Sequence, residues 1–337
     1  MTNYANRAAM VPISRRVRAY FAPVNRATET PALFDPGKYG AFALDSPPAP
    51  WLDLGWIDNF QRVSLTPTEP LRAGVRGAAA AQFRGVLDAR LEFDFREWGK
   101  LQMALAGGSE HMNVLASDPN AAAQPSGGTP LAAIAVLPNS TAGEVIVGAG
   151  SVSAFSPGNI IAVDADYQQQ TGYVGSGISA AYVNNSANVN NDANYIRRVT
   201  FNLGRVAQLT ATSLLLAQPL LGGAPPAGNG VQKVVAFVDR EGGSFFQEWS
   251  ALFVAAEDSG GRVCFHYPRL APASSVQSAP TNALAAVGKE QPIEVAKPIA
   301  ALALHAAFIA MPHTDENDGQ IAVCYRSYFP APLAGLY

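Results

Sequence analysis

The chain has 337 residues, 48% of them hydrophobic and 15% charged, and its formal net charge is −3. Disorder is excluded, because a disordered chain is poorer in apolar residues and richer in charge. The net charge also argues against broad nucleic-acid binding, which needs clustered lysine and arginine. The sequence has no run of 18 apolar residues and no N-terminal secretory signal, so we expect no membrane partner.

The first thirty residues form a basic arm, in which the arginines outnumber the single acid, Glu29. Such an arm docks either on an acidic neighbour or on nucleic acid. Apolar residues such as Val17, Tyr20 and Phe21 interrupt the charge, which favours docking on a protein neighbour. The arginines are Arg7, Arg15, Arg16, Arg18 and Arg26.

Alternation of apolar and polar side chains predicts strands along most of the chain. Leu91, Phe93 and Phe95 alternate with Glu92 and Asp94. This pattern places three apolar side chains on one face of a strand and two acids on the other. Clusters of Gly and Ser separate the alternating runs, as hairpins require. Similar runs occur at 263–267, 302–310 and 321–325.

One segment, 95–106, has the pattern of a helix. Trp98, Leu101 and Leu105 recur at i, i+3 and i+7 and form an apolar stripe. Gly107 and Gly108 follow directly and predict the end of the helix. We therefore expect a β-sheet domain with one helix packed on it.

A middle block has its own character. Segments 117–130 and 222–230, on either side of it, are rich in Pro, Ala, Gly and Ser and are typical of linkers or long loops. Between them the sequence predicts short strands separated by tight turns. This arrangement predicts a small β-barrel inserted at 144–228.

The motifs of catalysis and of cofactor or metal binding find little support. Residues 175–180 match G-x-G-x-x-A, but the Asn-rich run that follows does not suit the helix that a dinucleotide site requires. Segment 313–319 is oxygen-rich but lacks the final Glu of an EF-hand loop, so an acidic turn is favoured over a calcium site. Cys264 and Cys324 lie in predicted strands and are interpreted as free thiols, with a disulfide left open if the strands are neighbours. The four histidines lack the ligand spacing of a zinc site; they are His111, His266, His305 and His313.

Several segments resemble the phage tail tube protein family. The sequence Asp35-Pro-Gly-Lys-Tyr-Gly, followed by Trp51-Leu-Asp-Leu-Gly-Trp-Ile, is similar to the loop and first strand of that family. Segment 91–106 resembles its strand and helix, and 231–330 its second sheet. The resemblance implies a mainly β fold, a tail-tube-like β-sandwich or barrel with one packed helix. Residues 1–143 and 229–337 would form the tube domain, and 144–228 an inserted small β-barrel that decorates it.

The resemblance further implies a structural subunit and not an enzyme, with no cofactor and no metal. Its partners would be copies of itself, in stacked rings that the resemblance implies to be hexameric, and other tail proteins. DNA would pass through the channel without specific binding, and the location would be the virion tail, assembled in the bacterial cytoplasm. Glu92 and Asp94 are candidates to face the channel. The candidate inter-subunit residues are Arg15, Arg16, Arg18, Asp35, Lys38 and Tyr39.

Other functions remain open from the sequence. A distal or terminator tail subunit is one. Another is a carbohydrate-binding or adhesion β protein, with Tyr173, Tyr182 and Tyr195 and the loop 184–191 as a sugar platform. A hydrolase could use paired acids such as Glu92 with Asp94, or Asp164 with Asp166. The low charged fraction suits a surface covered by neighbours, although richness in Ala and Gly explains it as well.

Overall fold

The computed structural model describes residues 16–25, 28–73, 78–85, 87–120, 130–164, 195–240, 247–257, 260–273 and 304–331. Of these residues, 49% are in strands and 10% are helical, so the chain is mainly β, as predicted. The described part divides into two compact units. Unit 1 contains 1–108 and 247–337, and unit 2 contains 109–246.

In chain order the strands of the described residues are β1 (Val17–Pro23), β2 (Leu52–Leu65), β3 (Thr68–Ala73), β4 (Ala78–Arg84), β5 (Asp88–Phe95), β6 (Glu110–Leu115), β7 (Ile134–Ala135), β8 (Glu144–Ile146), β9 (Ile160–Asp164), β10 (Leu203–Leu209), β11 (Ser213–Leu216), β12 (Gly230–Arg240), β13 (Trp249–Ala256), β14 (Arg262–Pro272), β15 (Leu304–Ala310), β16 (His313–Thr314), β17 (Ile321–Ala322) and β18 (Tyr325–Phe329). The helices are α1 (Pro36–Tyr39), α2 (Lys100–Gly107), α3 (Ala149–Val152) and a π-helix at Arg197–Phe201.

Unit 1 is built on a closed, antiparallel, six-stranded barrel. Its strands follow the order β1, β2, β5, β15, β14 and β13, and β13 pairs back to β1. β14 uses one edge for two partners, since Arg262–His266 pair with β18 and Leu270–Pro272 pair with β15. Closure leaves the six barrel strands without the long free edges on which open sheets aggregate.

Aromatic rings fill the barrel. The rings of Phe93 and Phe308 stack at 5.5 Å between centroids, and Phe253 meets Phe93 edge-on at 5.4 Å. Phe21 contacts Phe253 and Phe308 from β1. The alternation predicted for β5 is confirmed, since Leu91, Phe93 and Phe95 are buried while Glu92 is exposed.

Residues 28–51 connect β1 to β2 along the chain and pack on the outside of the barrel; we call them the cover. Phe34 and Trp51 of the cover are buried against side chains that point outward from the barrel. Cys264 and His266, on the outward face of β14, are therefore buried. The barrel residues beneath the cover include Tyr20, Ala22, Leu252, Val254 and Cys264.

A second hairpin, here called the β arm, is formed by β3 and β4, which pair only with each other in the described residues. It continues the hairpin of β2 and β5, whose last pair is Leu65 with Asp88. The Gly85 N–H donates to the Pro67 carbonyl at 2.7 Å where the two sections of the hairpin join. A two-stranded hairpin is marginally stable alone in water.

Helix α2 begins later than predicted. β5 continues to Phe95, and Gly99 precedes the first helical residue in an extended conformation. Trp98 thus lies outside the helix and is 50% exposed, so its predicted place in the apolar stripe is wrong. Leu101 and Leu105 are buried as expected, and Gly108 ends the helix in the left-handed conformation that glycine favours. α2 packs against β15 and β14.

Unit 2 extends beyond the predicted insertion at both ends. It begins at Ser109 and ends at Phe246, whereas the predicted limits were 144 and 228. The reason is that β6 pairs along β12, and β12 also pairs with β9 inside the predicted block. Strands on both sides of the predicted limits therefore share one sheet, in the order β6, β12, β9, β10, β11 and β8, with β7 on β12.

The sheet of unit 2 curls around an apolar core. Val145, Ile161 and Leu214, from different strands, are fully buried in one cluster. The two ends of the curl meet where the Leu137 N–H donates to the Ile146 carbonyl at 2.8 Å. Ser117 and Pro130, the ends of the segment predicted to be a linker or long loop, pair in an isolated bridge, and residues 121–129 lie outside the described residues.

Candidate assembly surfaces

The outer face of β2, β5 and β15 carries the two acids that were predicted to face a channel. Glu92 is paired in register with Gln61 and Ala307 and is exposed. Asp94 accepts hydrogen bonds from Asn59 Nδ2 at 2.6 Å and lies 2.9 Å from His305 Nδ1. The pleat turns both acids away from the barrel interior, as predicted, but only Glu92 is fully exposed.

A second ion pair lies beside Asp94 on this face. Asp58 pairs in register with Asp94, and Arg96 Nε donates to the Asp58 carboxylate at 2.7 Å. This hydrogen bond lowers the pKa of Asp58 from its ordinary value. Asp58 is thus paired with a cation, whereas Asp94 accepts from the Asn59 amide and Glu92 is exposed.

Toward the β arm the same face carries exposed apolar side chains beside the exposed ion pair of Arg90 with Asp88. Val63 is 62% exposed and pairs with Arg90, which pairs in turn with Ile309, 44% exposed. Leu65 and Leu87 extend this exposed set at the base of the β arm. We call Val63, Leu65, Leu87 and Ile309 the apolar row. Apolar residues exposed near one another are a candidate interaction surface, which here also includes the charged Arg90 between Val63 and Ile309.

Of the predicted inter-subunit arginines, Arg18 is already engaged within its own chain. Its Nε donates to Asp53 Oδ1 at 2.9 Å, and its second nitrogen forms a salt bridge with the other carboxylate oxygen. The guanidinium lies 5.4 Å from the centre of the Trp56 ring. Hydrogen bonding to Asp53 raises the pKa of Arg18. Arg18 is thus a structural residue of the barrel wall.

The other two arginines of the predicted inter-subunit set are Arg15 and Arg16. Arg16 is exposed at the start of the described chain, and Arg15 lies outside the described residues. Arg16 therefore remains the arginine of this predicted set that an approaching protein can reach in the described part of the chain.

The predicted inter-subunit residues Asp35, Lys38 and Tyr39 lie in the cover, at and beside α1. Asp35 caps α1, since its carboxylate accepts the Gly37 N–H at 2.8 Å and the Lys38 N–H at 3.2 Å. Lys38 Nζ lies 5.0 Å from the centre of the Tyr39 ring, which stacks on Phe34 at 5.9 Å. Asp35 and Lys38 are exposed, whereas Tyr39 is half-buried. The structure thus places these three residues close together in the cover, whereas Arg18 lies on β1.

The residues considered for other functions have structural partners where they are described. Tyr195 is fully buried and donates its hydroxyl to the His111 carbonyl, so its predicted place on a sugar platform is wrong. The Asp164 carboxylate accepts Asn202 Nδ2 at 2.7 Å. The rest of that platform, the G-x-G-x-x-A segment and Asp166 lie outside the described residues. Cys264 and Cys324 are free thiols, and burial raises the pKa of Cys264 to about 12.

The acidic segment 313–319 forms a closed turn. The Asp315 carboxylate accepts the Asn317 N–H and the Tyr325 hydroxyl, each at 2.9 Å. The Asn317 N–H is the main cause of the lowered pKa of Asp315. Within the described residues, no group of three or more His, Cys, Asp or Glu side chains is placed to hold a metal ion. None of the described helices is long and apolar enough to cross a membrane.

The apolar row and the β arm were not recognised from the sequence. Their signal was present, because Val63 and Leu65 alternate with Arg62 and Ser64 at the end of a long strand. Alternation assigns the apolar set to the core, yet here Arg62 turns inward, where its Nε donates to the Tyr267 hydroxyl at 2.9 Å. Its guanidinium also lies 4.8 Å from the Phe265 ring.

A scan against protein-family models finds no match for this chain, and a search of curated proteins finds none either.

Proposed function

We propose that the chain is a structural subunit of a phage tail or tail-like tube, which assembles into stacked rings. The observation that carries the proposal is the β arm together with the apolar row at its base, on an otherwise closed barrel. The tail tube resemblance of 35–57 supports the same reading. Both arguments concern a protein that acts by binding copies of itself.

The closed barrel directs where a neighbour can bind. Its six strands satisfy one another, so a neighbouring copy has to approach a face or a projection and not a barrel edge. Val63, Leu65 and Ile309 offer that face, and burying an exposed Val, Leu or Ile side chain is worth about 1.5–3 kcal/mol. The β arm gains the most from such contact, because two strands alone are marginal in water.

The geometry of such a contact determines the assembly. The β arm of one copy and the surface that receives it on the next are different patches, so the contact is heterologous. Heterologous contacts form rings when the rotation closes and filaments when it does not. A stacked tube combines both, and six copies per ring is the number that the resemblance implies.

Glu92 is the residue we propose to face the channel. It is exposed on the outer face, while Asp94 is held by Asn59 and His305. A carboxylate on the channel wall repels the phosphates of DNA and so keeps the wall from holding it, since each basic contact adds to adhesion. A structure of the assembled tube in which Glu92 contacts a neighbouring chain, for example through Arg16, would end this assignment.

The experiment is electron microscopy and sedimentation of the purified full chain and two variants. We expect rings or tubes from the unaltered protein. Val63→Asn combined with Ile309→Asn should abolish them while leaving the monomer folded, because both side chains are exposed. Ile321→Asn is the matched control, since Ile321 is 72% exposed on β17, outside the apolar row. Monomers from the unaltered protein over a wide concentration range would refute the proposal.

A further inference from the structure

The cover is attached to the barrel by few polar contacts. The Ala32 N–H donates to Ser250 Oγ at 2.9 Å, and the Leu44 carbonyl accepts the Tyr20 hydroxyl at 2.7 Å. The Phe42 carbonyl accepts a hydrogen bond from Arg262. The Trp51 indole N–H is buried and has no hydrogen-bond partner in the described structure. Most of the adhesion is therefore apolar.

A further polar contact is made by His266. Its Nε2 lies 3.3 Å from the Ala32 carbonyl, a distance at which the neutral ring donates to the cover. The ring lies between two aromatic residues, with Trp51 of the cover edge-on at 5.6 Å and Tyr325 of β18 stacked at 5.8 Å. The side chain is 3% exposed, so a charge placed on it has no access to water while the cover is in place.

Among the described residues, the titratable groups that surround His266 place no negative charge against its ring. On its own strand the nearest titratable groups are Arg262, a cation, and Cys264, a thiol kept neutral by burial. From β13 it meets Leu252 in register, and from β16 His313 opposes its protonation. On the β18 side the Tyr325 hydroxyl stands between the ring and the Asp315 carboxylate, to which it donates.

We propose that His266 is an acid-sensitive latch, and that its protonation releases the cover, residues 28–51, from the barrel. In the released state water reaches the imidazolium, because Ala32 and Trp51 both leave with the cover. The proposal concerns the folded subunit and does not depend on tube assembly. Its consequence is an acid-exposed apolar surface formed by Tyr20, Leu252 and their neighbours.

The size of the effect follows from the two states of the ring. Burial is the main cause that lowers the pKa of His266 to about 4 in the closed state, whereas an exposed histidine keeps its ordinary value of about 6.5. The released state thus binds the proton more tightly, and the closed state loses stability as the pH falls below about 6.5. Between pH 8 and pH 5 the equilibrium constant for release should rise by up to about 30-fold.

The test is hydrogen–deuterium exchange of the full chain at pH 8 and pH 5, with rates corrected for the intrinsic pH dependence. Peptides from 28–51 should lose protection by up to about 30-fold, and peptides from β5 and β15 should not. His266→Gln, whose amide can still donate to Ala32, should remove the difference. His305→Gln is the control, because His305 lies on the outer face of β15, with Asp94 as its partner.

Two outcomes overturn the proposal: equal protection of the cover at both pH values, or an unchanged response in His266→Gln. If that variant fails to fold, His313→Gln replaces it. Removing the neighbouring imidazole raises the closed-state pKa of His266, so the pH response of the cover should shrink. A response of the same size in His313→Gln and in the unaltered chain would also count against the latch.

Discussion

Replacing Phe93 by Ala tests whether the closed aromatic barrel holds unit 1 together. The Phe93 side chain is fully buried and contacts three rings, those of Phe95, Phe253 and Phe308, at 4.9–5.5 Å between centroids. Truncating a buried Phe to Ala usually costs about 3–5 kcal/mol. A closed barrel has little freedom to collapse into the cavity, so we expect about 4–5 kcal/mol, the upper half of that range.

The assay is urea unfolding, followed by near-ultraviolet circular dichroism and by tryptophan fluorescence. Two probes are needed because the two units can unfold in separate transitions, and only the transition of unit 1 should move. Trp98→Ala is the comparison, since Trp98 is half exposed and should cost about 1 kcal/mol or less. A similar loss of unfolding free energy in the two variants would contradict the barrel packing described above.

Three further variants or treatments test other parts of the structure. Arg18→Leu should lower the unfolding free energy of unit 1 by about 1–3 kcal/mol, because it leaves the Asp53 carboxylate without its charged partner; a change below about 0.5 kcal/mol in urea would argue against this. At pH 8 the Cys264 thiol should resist alkylation until the chain unfolds, because its raised pKa leaves only about one thiol in 10⁴ ionised; immediate labelling located by mass spectrometry would show it to be accessible. Replacing 109–246 by a short Gly/Ser linker should leave the barrel of unit 1 folded, as measured by circular dichroism. Replacing only 144–228 should give insoluble protein, because it removes β9 from its pairing with β12. Soluble protein from both replacements would show that the limits of unit 2 are misplaced.

Local patterns predicted the β character of the chain well. Alternation at Leu91, Phe93 and Phe95 identified a strand and its buried face, because that face meets only the barrel interior. Alternation was less informative at β14, where Cys264 and His266 are buried while Val263 and Phe265 are half-buried. The sequence cannot indicate which strand faces will be covered by a segment that is distant along the chain.

Helix periodicity was partly informative. Leu101 and Leu105 are buried as the spacing predicts, and the helix ends at the glycines. Trp98 fitted the same spacing by coincidence, because β5 runs on to Phe95 and an extended Gly99 separates Trp98 from the helix. An apolar residue at the right interval does not show that the backbone is helical there.

The site was less predictable than the fold. Composition suggested borders for the insertion, but Pro- and Gly-rich segments such as 222–230 turned out to be loops within unit 2. Arg18 looked free for a neighbour, and its pairing with Asp53 depends on the register of β1 with β2. Long-range register of this kind has no signature in a single sequence.

The pairing of β1 with β13 also sets the order in which the chain can fold during synthesis. Val17 pairs with Ala255, so β1 leaves the ribosome long before its barrel partner exists. At about 5–20 residues per second, β1 waits roughly 10–50 s with one edge open. Unit 2 is complete within this interval, since all its strands lie between β5 and β13. The nascent chain therefore carries a finished second unit while the barrel strands made first are still exposed to chaperones and to other chains.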